Sequence, residues 1–408
     1  MTENTTAADP SVETSPSSPP PPRRRRRLKR VAVSALVAVV VLGAGAFGAA
    51  AALDIPAPPT LVHLLTDAPS TQGQLFAART VAAPAQARPL PVHPAPLPET
   101  VPWKGGQITV SEFLDTTHSN AFVVLRDGAI THEWYRDGVG PTTTNASWSV
   151  AKSIVSLLVG RAIESGKLAE DERLVDVLPD LATGGLYDSI TIRDLLDMTS
   201  GVDVSENYNP YFPFTGTARM YLTTDLAGFV RDHRGLQFDP GTEGEYRSVD
   251  TQLLGQAVAA VEGRPLGELL ESDIWGPIGA EDHATWNLDR AGGQEKAFCC
   301  INATARDYAK VGQLVLDGGR VGDAQVVPEA WIRRLSTPAA HEVAGWGYSA
   351  QWWHPIGGNG RDFSAIGVYG QYIYVDPVSR TVVVKLSDHG TEQDEIDTID
   401  VFRSLAAS

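Results

Sequence analysis

The sequence has few of the residues and motifs on which many enzyme sites depend. It holds two cysteines among 408 residues, Cys299 and Cys300, and they are adjacent. Adjacent cysteines bridge only with strain, so we expect two buried, unpaired thiols and no disulfide framework. The chain has no zinc-type ligand spacing, no HExxH motif and no Walker loop. These absences predict a protein that uses neither a metal ion nor another cofactor.

Two further absences exclude whole classes of protein. The chain has no GxSxG motif, so the nucleophile elbow of α/β-hydrolases is absent. Its formal net charge is −16, and its densest basic block is confined to residues 23–30. Phosphate binding needs a basic surface, so the acidic remainder of the chain argues against a nucleic-acid partner.

The basic block is explained by the segment that follows it. Residues 31–53 contain no charged side chain, and a helix rising about 1.5 Å per residue spans a bilayer core of about 30 Å with that length. Basic residues before the span predict a cytoplasmic N-terminus and an extracytoplasmic remainder. We therefore expect a single-pass signal-anchor. The small residues at 49–52 leave open a cleavage site and a secreted product.

The rest of the chain divides into three parts by composition. Residues 1–30 are rich in Ser, Thr and Pro before the basic block, which predicts a disordered cytoplasmic tail. Residues 54–102 are rich in Pro and Ala, which predicts an extended linker. Residues 103–408 form the folded domain. The sequence leaves the oligomeric state open.

Strand-like runs at both ends of this domain enclose a helical middle. Runs at 121–125 and 129–135 flank Asp127-Gly128, a strong hairpin signal, and further β-rich runs lie at 348–353, 371–375 and 381–386. Between them, helices are predicted at residues 150–164, 192–198, 227–234, 251–262, 303–316 and 328–335, with a last one at 394–405. The expected fold is α+β: an antiparallel sheet built from both ends, flanked by helices, with a mainly helical second lobe.

Ser149 and Lys152 are the first candidates for chemistry. They stand at positions i and i+3 where the apolar run 150–164 begins, so one helix face carries both side chains. A partly buried lysine can be neutral and take the proton of a serine nucleophile. The alternative is an ordinary serine at a helix N-terminus beside a surface lysine.

An aromatic loop at residues 207–214 is a second candidate. It carries Tyr208, Tyr211, Phe212 and Phe214 among prolines. Such a loop either packs down as a lid or lines a substrate cleft.

Three motifs in order then give a resemblance. Ser149-Val150-Ala151-Lys152, Tyr246-Arg247-Ser248 and the segment 365–371 (AIGVYGQ) resemble the three motifs of the serine β-lactamase and penicillin-binding-protein superfamily. The phrases at 190–201 (ITIRDLLDMTSG) and 301–319 (INATARDYAKVGQLVLDGG) are similar to its class C-like esterase and 6-aminohexanoate-dimer hydrolase branch. The resemblance covers roughly residues 100–405.

The resemblance implies a role for each matching position. Ser149 is the acylated nucleophile, Lys152 its base, and Tyr246 a proton relay whose phenol pKa is lowered by Lys152. The backbone N–H groups of Ser149 and Val368 form the oxyanion hole. The side chains expected to bind the substrate, besides these, are those of Ser248, Tyr208 and Tyr369, with Gly367 beside them.

Two departures from the family pattern bear on the substrate. Ser248 stands where β-lactamases carry asparagine, and Ala365-Ile366-Gly367 replaces the K-T-G motif whose cation holds a carboxylate. Both favour a linear amide or ester over a β-lactam or a cell-wall peptide. The alternatives are a D,D-peptidase or β-lactamase, and a non-catalytic cell-wall-binding or regulatory protein.

Overall fold

The structure, a computed structural model, describes residues 23–209, 211–358, 360–390 and 394–408. The chain separates into two compact units, one up to Leu53 and one from Asp54 to Ser408. The first contains helix α1 (Arg23–Ala52), which begins within the predicted tail. Its Val31–Ala52 segment is long and apolar enough to cross a membrane, by length and composition alone. The rest of the predicted tail, residues 1–22, lies outside the described residues.

The second unit contains all the other elements. Its helices are α2 (Pro58–Thr66), α3 (Val110–Thr116), α4 (Val150–Glu164), α5 (Leu174–Val177), α6 (Ile192–Leu196), α7 (Gly216–Leu222), α8 (Leu226–Asp232), α9 (Ser248–Glu262), α10 (Leu266–Leu270), α11 (Ala305–Leu316), α12 (Glu329–Leu335) and α13 (Glu395–Ala407). Its strands are β1 (Ala78–Val81), β2 (Thr100–Trp103), β3 (Gly106–Thr109), β4 (Ser119–Arg126), β5 (Ala129–Tyr135), β6 (Asn145–Ala146), β7 (Ala284–Asn287), β8 (Ile301–Ala303), β9 (Arg320–Val321), β10 (Ala324–Gln325), β11 (Gly347–Ser349), β12 (Trp352–His354), β13 (Phe363–Gly367), β14 (Gln371–Asp376) and β15 (Thr381–Ser387). Short 3₁₀ segments occupy Pro69–Leu75, Pro179–Leu181 and Leu186–Ser189, and a π-helical turn occupies Glu271–Trp275.

A seven-stranded antiparallel sheet joins the two ends of the domain, in the order β11-β12-β13-β14-β15-β4-β5. The last strand pairs with the first of the domain's long strands, with Val383 opposite Val124. Alternate residues of β4 enter two different cores: Val123 packs in the larger core and Phe122 packs with helix α13. Because both faces are covered, the middle of the strand, residues 121–125, is apolar without a break. The predicted fold class is confirmed.

Of two hairpin turns in the large sheet, the local sequence predicts one and not the other. Asp127 and Gly128 both have positive φ (48° and 79°) between β4 and β5, as the Asp-Gly pair predicts. The run 348–353, expected as one strand, instead contains the end of β11, a two-residue turn and the start of β12. Ala350 and Gln351 have φ of 45° and 70° there without any glycine. The buried Gln351 side chain accepts from Thr251 Oγ1 at 2.6 Å and donates to two backbone carbonyl oxygens of α6, which holds this turn.

Helix α4 is the central helix of the larger core. Its bounds agree with the run 150–164, and it is buried on nearly every side because it packs against α9, β13 and β14. This packing brings the start of α4 close to the end of β13, where the third motif lies.

The segment 54–102 differs from the predicted extended linker. It belongs to the same compact unit as the rest of the domain and forms α2, a 3₁₀ segment and β1. Strand β1 pairs with β7, placing the fully buried Val81 opposite Ala284. Pro58 stands at the start of α2, where proline favours a helix, so the proline content did not signal an extended chain here.

The prediction for the cysteines is half right. Both side chains are buried, as expected, but Cys299 and Cys300 are joined as a disulfide and are not free thiols. Cys300 has φ of 77°, in the left-handed region that residues other than glycine rarely adopt. Composition does not show this conformation in advance.

Candidate active site

A tight turn presents Ser149 at the start of α4. Ser147 N–H donates to the Ile301 carbonyl at 2.7 Å, and Ile301 N–H donates to Ser147 Oγ at 3.0 Å, so the turn is bound to β8. Trp148 has φ of 45°, a backbone conformation that residues other than glycine rarely adopt. Local strain of this kind is common at functional sites. Ser149 follows this turn, directly precedes the first residue of α4, and lines a cleft.

Lys152 lies one helical turn later and is buried, with 1% of its surface exposed. Its Nζ donates to Ser149 Oγ at 2.8 Å and to the Phe298 carbonyl at 2.8 Å. Burial lowers the pKa of Lys152 to about 7, although the Glu206 carboxylate acts in the opposite direction. Near neutral pH, a large fraction of this amine is therefore uncharged and able to accept a proton from Ser149.

Tyr246 completes the group around Ser149. Its phenol hydrogen-bonds the Ser149 side chain, its ring centroid lies 5.0 Å from Lys152 Nζ, and it stacks on Trp353 at 5.3 Å. Burial raises the pKa of Tyr246, and Glu206 raises it further. The expectation that Lys152 lowers this pKa is therefore wrong: the desolvation of a buried phenol is the larger effect. Tyr246 is a protonated phenol that can donate.

The end of β13 passes close to the start of α4. A Cβ atom added at Gly367 would lie 2.6 Å from the Ser147 carbonyl oxygen and 3.0 Å from Ser149 N. Only glycine permits that approach. Val368, the next residue, lines the cleft beside Ser149, so the two backbone segments expected to form the oxyanion hole do come together.

Glu206 is a site residue that the sequence did not reveal. Its carboxylate accepts from Ser248 N–H at 2.6 Å, from Ser248 Oγ at 3.0 Å and from Thr217 Oγ1 at 2.8 Å, and it also accepts from the Tyr208 hydroxyl. Two of the expected substrate-binding residues, Ser248 and Tyr208, are thus held by one carboxylate. Glu206 lies two positions before Tyr208 in the chain, but its pairing with Ser248 spans 42 residues and leaves no local signal.

Two cavities meet at Ser149. The first, about 280 Å³, is lined by apolar and aromatic side chains that include Trp148 and Tyr221, and by part of α2. The second, about 410 Å³, is lined by Tyr246, Trp346 and Trp353. Of the residues expected to contact substrate, Ser248 and Tyr369 line the first cavity, Gly367 lines the second, and Tyr208 and Val368 line both. Among the described residues, no group of three His, Cys, Asp or Glu side chains could hold a metal ion.

This fold and site define a class of protein, the serine hydrolases related to β-lactamases and penicillin-binding proteins. A family model described as Beta-lactamase matches residues 109–406. The chain therefore belongs to the beta-lactamase family.

The similar proteins agree with that assignment. A 6-aminohexanoate-dimer hydrolase of Paenarthrobacter ureafaciens is 31% identical over 327 residues, 72% of this chain and 80% of the relative. Penicillin-binding protein 4 of Amycolatopsis lactamdurans is 26% identical over 314 residues, 66% of this chain and 78% of the relative. Among solved structures, a 6-aminohexanoate-dimer hydrolase homologue from Bacillus anthracis superimposes with a TM-score of 0.73 at 22% identity, over 86% of this chain and 94% of that one. A family VIII carboxylesterase shares the fold with a TM-score of 0.57 at 18% identity, over 72% and 95% of the two chains.

Proposed function

We propose that the chain is a membrane-anchored serine amidase or esterase that cleaves a linear substrate through an acyl-enzyme on Ser149. One observation carries the proposal: the buried amine of Lys152, with a pKa of about 7, lies 2.8 Å from Ser149 Oγ. A lysine in that state is a competent base for a serine nucleophile. No cofactor takes part.

In the proposed reaction, Lys152 takes the Ser149 proton while Ser149 Oγ attacks the carbonyl carbon of the substrate. The backbone N–H groups of Ser149 and Val368 stabilise the negative charge on the carbonyl oxygen. The bond from the carbonyl carbon to nitrogen or oxygen then breaks, and Tyr246 delivers a proton to the leaving group while it takes up the proton that Lys152 holds. Water then attacks the resulting ester and gives a proton to Lys152. The bond to Ser149 Oγ breaks, Ser149 Oγ regains a proton from Lys152 through Tyr246, and the acid is released.

The substrate class follows from what the cavities contain. Neither cavity has a lysine or arginine among the described residues that line it. The third-motif segment, where the family often has a cation, is the buried end of β13. A linear amide or ester without a carboxylate to be bound at that position suits this site better than a β-lactam or a D-alanyl peptide does.

The proposed location rests on α1. A helix with an apolar segment at Val31–Ala52, preceded by basic residues, would anchor the chain with its N-terminus in the cytoplasm and its catalytic domain outside. If the segment is cleaved, the domain is secreted.

The proposed nucleophile is tested with a fluorophosphonate probe, which labels activated serines covalently. We expect the full-length chain to be labelled and Ser149→Ala to lose all labelling. The matched control is Ser165→Ala, an exposed serine at the other end of α4, which should be labelled like wild type. Undiminished labelling of the Ser149→Ala variant would refute the assignment.

A further inference from the structure

The first cavity has an unexpected wall. Leu61 and Leu64, from the segment predicted as a linker, line it together with the aromatic side chains of Trp148, Tyr221 and Phe298. The helix that carries these leucines is fixed in place: buried Gln72 donates to the Leu64 carbonyl at 3.1 Å, and Asn287 donates to the Gly73 carbonyl at 2.7 Å. In this structure helix α2 thus forms part of the cavity wall.

The cavity is uncharged. No Asp, Glu, Lys, Arg or His occurs among the described residues that line it. Glu206 does not line the cavity, but its carboxylate accepts hydrogen bonds from three residues that do, Ser248, Thr217 and Tyr208. A charged group buried here would lose its hydration and meet no charged side chain in the lining, whereas burying methylene groups is favourable.

The position of Tyr246 determines which part of a substrate enters this cavity. Tyr246 lines the second cavity and not the first, whereas Ser149 and Val368 line both. The group that protonates the leaving group must lie on the leaving-group side of the scissile bond. The acyl side therefore extends the other way, toward α2.

We propose that the first cavity binds the uncharged aliphatic acyl chain of the substrate, so that the natural substrate is a medium- or long-chain acyl ester or amide. This inference rests on the proposed function of Ser149. The rim supports it: Leu65 and Phe214 line the cavity and are still 52% and 58% exposed, which gives an acyl chain an apolar entrance.

The chain-length test uses p-nitrophenyl esters of acetate, butanoate, hexanoate and octanoate with the full-length chain. Each buried methylene should raise kcat/KM by about fourfold, or on the order of 10²-fold from butanoate to octanoate. A flat or falling profile, with labelling of Ser149 intact, would overturn the acyl-chain assignment and leave the proposed nucleophile standing. Loss of Ser149-dependent labelling would overturn both.

A charge test separates this substrate class from a cationic one. The 7,7-dimethyloctanoate and 6-(trimethylammonio)hexanoate esters have the same shape and differ by one positive charge. We expect the neutral ester to be cleaved at least about 10²-fold more efficiently, because the cation loses its hydration in an uncharged cavity. Equal efficiency would overturn the proposal.

Variants connect both results to this cavity. Leu64→Glu should reduce the preference for the neutral isostere at least about tenfold, a shift that impaired folding alone would not produce. Ala218→Phe, which fills the cavity from α7, should abolish the gain from butanoate to octanoate. The matched control is Val62→Glu, on the same helix but 59% exposed and outside the cavity lining, which should keep the wild-type ratios. Unchanged ratios in the two cavity variants would refute the inference.

Discussion

Replacing Lys152 by methionine should stabilise the protein at neutral pH while it abolishes activity. Burial lowers the pKa of Lys152 from 10.5 to about 7, which corresponds to about 5 kcal/mol of cost for a protonated lysine at this position. Methionine has a similar length and no charge, so it removes that cost. It also leaves the Phe298 carbonyl without its Lys152 donor, at a loss of about 1–3 kcal/mol. The net gain expected at pH 7 is therefore about 2–4 kcal/mol.

The sign of this effect should reverse as the pH rises. The folded state binds fewer protons at Lys152 than the unfolded state between about pH 7 and 10.5, so the wild type gains stability across that range and the methionine variant does not. Near pH 10.5 the lysine of the unfolded state also loses its charge, so the cost of burying a charge disappears. The remaining difference is the hydrogen bonds of Lys152 that the methionine variant lacks, and this difference favours the wild type. Other buried lysines contribute equally to both proteins and cancel in the difference.

The measurement is the free energy of unfolding by denaturant, followed by tryptophan fluorescence at several pH values. The control is Lys167→Met, a change at an exposed lysine, which should show no such reversal. A methionine variant that is less stable than wild type at pH 7, or a stability difference that does not change with pH, would refute the assignment of Lys152 as a buried base with a lowered pKa.

Two more predictions concern the surroundings of Ser149. Glu206→Gln removes a negative charge that raises the pKa of Lys152. The acidic limb of the pH profile of kcat/KM, which we expect near pH 7 in the wild type, should therefore move to lower pH. A shift of that limb to higher pH would contradict the electrostatic role of Glu206. Gly367→Ala should lower kcat about 10²–10³-fold, the usual cost of a lost oxyanion donor, because its Cβ would push β13 away from Ser149 N. Far-UV circular dichroism should show that the variant remains folded, and activity near that of the wild type would contradict the close approach.

Sequence reasoning succeeded where the signal was local and strong. The run 150–164 predicts α4 with its observed bounds because a helix that is buried on nearly every side has apolar residues at most of its positions. Asp127-Gly128 predicts the turn that joins β4 and β5. Ser149, Lys152 and Tyr246 belong to the first two of the three motifs, and the structure brings their side chains together; their catalytic roles stay a prediction.

The features that were missed depend on contacts between distant parts of the chain. Glu206 has no local sequence signal, because its hydrogen-bond partner Ser248 lies 42 residues away in the chain. The Ala350 and Gln351 turn needs the buried amide of Gln351 to hold a conformation for which the sequence has no glycine. The leucines of α2 were hidden in a Pro- and Ala-rich composition, and their role appears only once α2 lies against the cavity.

The direction of proton transfer at this site follows from the two pKa shifts together. Lys152 and Tyr246 both hydrogen-bond Ser149, and burial moves their pKa values in opposite directions, down for the amine and up for the phenol. Near neutral pH the amine can therefore accept the Ser149 proton, while a phenolate that could do the same is strongly disfavoured. Glu206 raises both pKa values, so it keeps Tyr246 protonated while it limits how far the basicity of Lys152 falls. In the proposed mechanism Tyr246 then donates a proton to the leaving group, and the proposed acyl chain lies on the other side of the scissile bond, in the cavity lined by α2.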